Sequence, residues 1–139
     1  MIGFRMFSIK VNQFAILEKD LPQKDVSLDT SLSYGFTPLK PEACITIKVE
    51  LAQEEKSLVI LDISCFFEIK KEDWDSLCKD GKIIVPRDLV AHFAMHAVGT
   101  MRGILFSKTE GTPFCQFILP PINVSEKITE DVVMDISNI

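Results

Sequence analysis

Two histidines four residues apart, His92 and His96, come nearest in this chain to a spacing that does chemistry. On a helix that spacing sets both rings on one face, the arrangement of a two-histidine zinc site. A metalloprotease helix also wants a glutamate directly after the first histidine, and Phe93 stands there instead. No cysteine or carboxylate close by on the helix reads as a third ligand, and zinc ligands come in sets of three or four. Packed or interface histidines are therefore the favoured reading, with an oligomeric metal- or small-ligand-binding protein as an alternative. Nucleophilic catalysis finds no GxSxG elbow, and no glycine-rich phosphate loop is visible, since Gly99 and Gly103 fall inside a helical pattern. Cys44, Cys65, Cys78 and Cys115 are widely separated, with no CxxC. They read as buried or half-buried free thiols in a reducing cytosol. No catalytic set emerges, so the chain is expected not to be an enzyme and to need no cofactor.

The elements that would position these residues follow from length and pattern. A chain of 139 residues, 47% hydrophobic, fits one domain with one core. Apolar runs are broken by charge or proline before about 18 residues, so no membrane insertion is expected. The amino terminus lacks the layout of a secretion signal, which suggests a cytoplasmic protein. A net charge of −5 argues against nucleic acid as the main partner.

The histidines belong to a long helix predicted from Pro86, placed at its first turn, to about Lys108. Leu89, Val90, Phe93, Ala94, Ala97, Val98, Met101, Ile104 and Leu105 fill one half of it, an ordinary core face. The opposite half should be charged, yet it carries Ala91, His92, Met95, His96, Gly99, Arg102, Gly103 and Phe106. A helix apolar nearly all round is buried on more than one side. Ala91, Met95, Gly99 and Gly103 therefore form a candidate oligomer interface, where the glycines would admit a second backbone.

Before the helix, four stretches alternate with period two. Phe7, Ile9 and Val11 make a first strand, with a bulge at Asn12-Gln13 carrying the apolar phase on to Phe14 and Ile16. A polar crossover, 18–25, precedes a second strand with Val26, Leu28, Thr30, Leu32, Tyr34 and Phe36 on one face. A third strand buries Ile45, Ile47, Val49 and Leu51. A fourth buries Leu61, Ile63, Cys65, Phe67 and Ile69, and leaves Asp62 outward. Residues 70–81 read as a polar connector anchored by Trp74. The fold class is α+β, a four-stranded antiparallel sheet with a long helix packed on one face. Residues 1–125 form the domain, and 126–139 are a short acidic tail, a marginal helix or unordered.

After the helix, Gly111, Thr112, Pro113 and Phe114 make a turn, and Leu119, Pro120, Pro121, Ile122 and Asn123 an extended run. Helix, turn and Leu-x-Pro-hydrophobic-Asn run together resemble the closing half of the SecB export chaperone family, and with the strands the likeness spans most of the chain. The resemblance implies an ATP-independent holdase, a homotetramer built as a dimer of dimers, binding unfolded polypeptide clients in aromatic-lined grooves. By position it assigns client contact to Tyr34, Phe36, Phe114 and Phe117. It places Asp62 as the contact for a SecA-type motor, and Leu61, Ile63 and Cys65 in support of helix packing. The family continues into a longer second helix than 126–139 provides. Relatives of this shape also serve as dedicated chaperones of an antitoxin, so export and antitoxin care both stay open.

Overall fold

The computed structural model describes residues 1–22 and 25–136. Four long strands come first: β1 (Phe4–Ile16), β2 (Ser27–Phe36), β3 (Glu42–Gln53) and β4 (Lys56–Ile69). They form one antiparallel sheet in the order β1-β4-β3-β2, so the crossover carries the chain from one edge to the other. Two polar contacts fasten the start of that crossover. The Leu17 amide donates to the Leu58 carbonyl at 2.8 Å, and Lys56 pairs with Glu18 at 2.6 Å. Gln23 and Lys24 of the expected linker lie outside the described residues.

The inward positions of β3 and β4 are all but inaccessible, as alternation required: Ile45, Ile47, Leu61, Ile63, Cys65 and Phe67 are fully buried. Over them lies a helix, α2 (Arg87–Thr109), whose buried residues are Leu89, Val90, Phe93, Ala94, Ala97, Val98, Met101, Leu105 and Thr109. Pro86 is its extended N-cap residue rather than its first helical residue. Phe93 is the keystone of this contact. Its ring stacks on Phe67 with centroids 4.6 Å apart and meets Phe4 edge-on at 4.9 Å, the two arrangements aromatic quadrupoles favour. By length and composition alone α2 could cross a membrane; here one half of it is spent on the sheet.

Three regions depart from the sequence reading. β1 carries two register shifts, at Asn12 as expected and also at Phe7. The second turns Phe7 onto the outer face over Phe66 (6.3 Å), so it does not share a face with Ile9 and Val11. The connector after β4 is structured: a helix α1 (Lys71–Ser76) that buries Trp74, then a hairpin of β5 (Cys78–Lys79) and β6 (Lys82–Val85). Its turn is Asp80-Gly81, both with positive φ (53° and 75°), the dipeptide such tight hairpins demand. The tail is neither a helix of its own nor unordered through 136. After a helical turn α3 (Val124–Lys127) it enters β7 (Val132–Asp135), which pairs with β6 in a second, three-stranded sheet. Residues 137–139 lie outside the described residues.

The cysteines are free, but they are not all sheltered: Cys65 is buried, Cys44 and Cys115 are half-buried, and Cys78 is exposed. Burial pushes the Cys65 thiol up to about 11, with the Thr100 hydroxyl pulling the other way. A thiol whose folded value lies above its ordinary 9.0 keeps its proton where the unfolded chain loses it. Stability is thus complete below pH 9 and falls as pH rises towards 11. Denaturant titrations stepped through this range should show that loss, with a shallower slope for Cys65→Ala. A thiol reagent at neutral pH should label Cys78 first and Cys65 only on unfolding.

Phe93→Ala should cost about 3–5 kcal/mol, because it empties a site ringed by aromatic neighbours. The change Leu39→Ala, at a side chain 71% exposed, should stay within about 0.5 kcal/mol. Urea unfolding of both variants checks the contrast.

Candidate functional site

Two apolar surfaces flank α2, one towards each edge of the sheet. On the β1 side, strand and helix run alongside one another. Phe4 packs against the rings of His92 and His96 (6.0 and 5.7 Å), Met6 meets Thr100, and Lys108 sits over the Phe14 ring at 5.5 Å. Between these contacts Ile9 and Val11 share the helix-side face with Cys65 and Ile63, yet remain 48% and 40% exposed. Gly99 and Gly103 project no side chain, and a Cβ on either would meet nothing within 4 Å. Met95 and Phe106 stand exposed in the same helical stripe. Ala91 differs from its companions, being half-buried against the core.

His92 and His96 lie 6.2 Å apart, centroid to centroid, around Phe4. Among the described residues no group of three or more histidine, cysteine, aspartate or glutamate side chains converges as a metal site would need.

The β2 side holds Tyr34 and Phe36. Tyr34 is exposed and meets Phe36 edge-on at 6.4 Å; Phe36, half-buried, leans on Phe93 at 6.4 Å. Phe117 is half-buried at the other end of the strand, beside a small second core of Leu51, Leu58, Val59 and Phe114. Phe114 is the surprise, because it is fully buried. The local sequence explains this. Gly111 takes a positive φ of 82° that closes α2, and Thr112 accepts from the Phe114 amide at 3.2 Å, starting a 3-10 turn at Pro113–Gln116. That turn aims the Phe114 ring beneath the surface, and Ile118, 51% exposed, stands on it instead. The four aromatics are therefore not one cluster. Leu28, which packs on the second core, and Tyr34 are separated by about 20 Å of strand at ~3.3 Å per residue. The half-buried inward side chains of Leu28, Thr30 and Leu32 line the track between.

Arg102 fastens the extended run beyond the turn. Its Nε donates to the Leu119 carbonyl at 2.7 Å and Nη2 to the Pro120 carbonyl at 3.3 Å. Two prolines leave that run few amides to join a ladder, so its carbonyls are met by a side chain instead. The sequence reading placed Arg102 on the free face of the helix; an arginine among glycines followed by a double proline was the signal for this role.

Asp62 lies on the opposite, outer face of the sheet, half-buried. The bulged Asn12 bridges it and Ser64 through Nδ2, at 3.0 and 2.8 Å, and Ser64 meets Thr46 at 2.9 Å. Lys48 is its register partner on β3. Asp62 thus belongs to a polar row that the helix and both apolar flanks leave clear.

No protein-family model and no curated protein matches the chain. Among solved structures it is similar to a SecB-like chaperone of Mycobacterium tuberculosis, Rv1957, determined in complex with a ChAD peptide from the HigA1 antitoxin. The TM-score is 0.53 at 10% identity, over 86% of this chain and 90% of that one. What the two share is the fold, a four-stranded antiparallel sheet under one long helix.

Proposed function

We propose that this chain is an ATP-independent chaperone that holds an extended polypeptide along the β2 flank and assembles with its own copies through the β1 flank. The observation that carries the first part is the track itself. Tyr34 stands exposed at one end of β2, half-buried Phe117 lies by Leu28 at the other, and the inward side chains between them are only half-buried. An unfolded chain offers apolar groups at irregular spacing, and burial of such groups is non-directional. Each large side chain so covered contributes about 1.5–3 kcal/mol before ordering costs, enough for binding that later reverses. Of the services open to such a protein, care of an antitoxin is favoured over hand-off to a SecA-type motor, since the similar fold was solved with an antitoxin peptide. Asp62, on the outer polar row, is the residue a motor-type partner would meet.

Tyr34→Ala combined with Ile118→Ala should weaken peptide binding about tenfold, the equivalent of ~1.4 kcal/mol, while the melting temperature holds. The readouts are aggregation of a denatured client diluted into buffer and titration of antitoxin peptides from the same genome. A wild-type protein that delays no client and binds no such peptide overturns the proposal.

Assembly through the glycine stripe makes a separate demand. Gly99→Leu enters open space in the single chain and replaces a poor helix former, so folding should gain about 0.5–1 kcal/mol. The oligomer, a tetramer on this reading, should dissociate because the bulk stands where a second backbone approaches. Light scattering that finds an unchanged mass for the variant removes this face from the interface.

A further inference from the structure

We infer that the side of β6 facing away from β5 is an acceptor site for an extended apolar strand, and that the chain's own residues 128–136 occupy it as a built-in ligand. The inference rests on the peptide-chaperone reading above and names a second place where client chain would bind.

The acceptor has three parts. The first is a backbone edge: β7 pairs antiparallel with β6, Lys82 with Asp135 through Val85 with Val132, and the Ile136 amide extends the ladder to the Gly81 carbonyl at 2.8 Å. The second is a row of apolar seats at every other residue. Val132, Met134 and Ile136 pack against the main core, and Val133 and Asp135 point outward. The third is an amide at the start of α2, where Arg87 donates to the Asp131 carboxylate at 2.8 Å and the helix dipole favours that charge. Ile128, fully buried, anchors the segment at its near end. Main-chain pairing with alternate apolar seats is how a sheet edge takes up an extended peptide without reading its full sequence.

The occupant is loosely held. β7 is four residues long, and its inward side chains are only half-buried. Residues 129–131 are exposed, and so is Val133 at 56%. Ordering this stretch opposes that modest burial, which sets it among the parts of a fold that open first. By contrast, the acceptor strand is held independently of its occupant: Ile83 and Val85 belong to the main core, and β5 pairs with β6 from its other side.

A reversible staple tests this in the full chain. Ile84 and Val133 face each other in register and are both exposed. Opposed residues of an antiparallel pair lie about 4.5–5.5 Å apart, within the reach of a disulfide. Ile84→Cys with Val133→Cys, with Cys44, Cys78 and Cys115 changed to serine, can thus be locked by oxidation and released by dithiothreitol. The probe is a fluorescein-labelled peptide of residues 128–136. The locked protein should bind it at least tenfold more weakly than the same protein after reduction. Equal affinity in the two forms, or no binding in either, overturns the acceptor site. Delay of aggregation of guanidinium-denatured malate dehydrogenase by the reduced form tests the chaperone reading separately. If that delay is absent the chaperone reading falls, and the peptide titration still decides the acceptor site.

Discussion

The packing of α2 on β3 and β4 is the contact from which the other features follow. A single sheet can cover only one half of a helix, and here Phe93, Ala94, Ala97 and Met101 consume that half against Phe67 and its neighbours. Much of the remaining half is left uncovered: Arg102 is taken up by the double-proline run, while Gly99, Gly103, Met95 and Phe106 stand where lysines and glutamates would suit a solvated surface. Among the described residues no second layer lies over it. That unfilled demand is the physical basis for expecting another copy, and it leaves Ile9 and Val11 of the edge strand accessible beside the glycines.

Where the chain runs outside helix or long sheet, polar groups fasten it one at a time. Arg102 holds the double-proline run by its carbonyls, Thr112 sets the turn that drives Phe114 inward, and Asp131 ties the last segment to the start of α2. Such backbone needs partners as much as a helix does. These fasteners decide which apolar side chains line a surface and which fill a core. Moving Phe114 inward and Ile118 outward came from one threonine hydroxyl and one glycine with positive φ.

The outcome is a molecule with separated surfaces: an apolar track by β2, a small-residue stripe by β1, a polar row on the outer sheet, and a lightly held strand on β6. A binder of unfolded chain gains from that separation, since a client, a second copy and another protein need not compete for the same side chains. Loose aromatic contacts spread over a long track also suit release better than one deep pocket, because each can open without the others.

Periodicity alone was sufficient for the sheet and for the buried face of α2. Inward and outward positions on β3, β4 and the helix are set by spacings of two and 3.6 residues, and a one-residue error would have put charge in the core. The Asn12 bulge was legible for the same reason, since the apolar phase slips there. Other features were present in the sequence as local turn chemistry: Asp80-Gly81 for the β5–β6 hairpin, and Gly-Thr-Pro for the burial of Phe114. Long-range choices were not legible. That β2 crosses to the far edge, that Arg102 reaches the double-proline carbonyls, and that residues 132–135 pair with 82–85 all depend on partners distant in the chain. A weak apolar pattern such as Val132 to Ile136 fits helix, strand or coil equally until a neighbouring edge offers it hydrogen bonds. Only the tertiary structure supplies that edge.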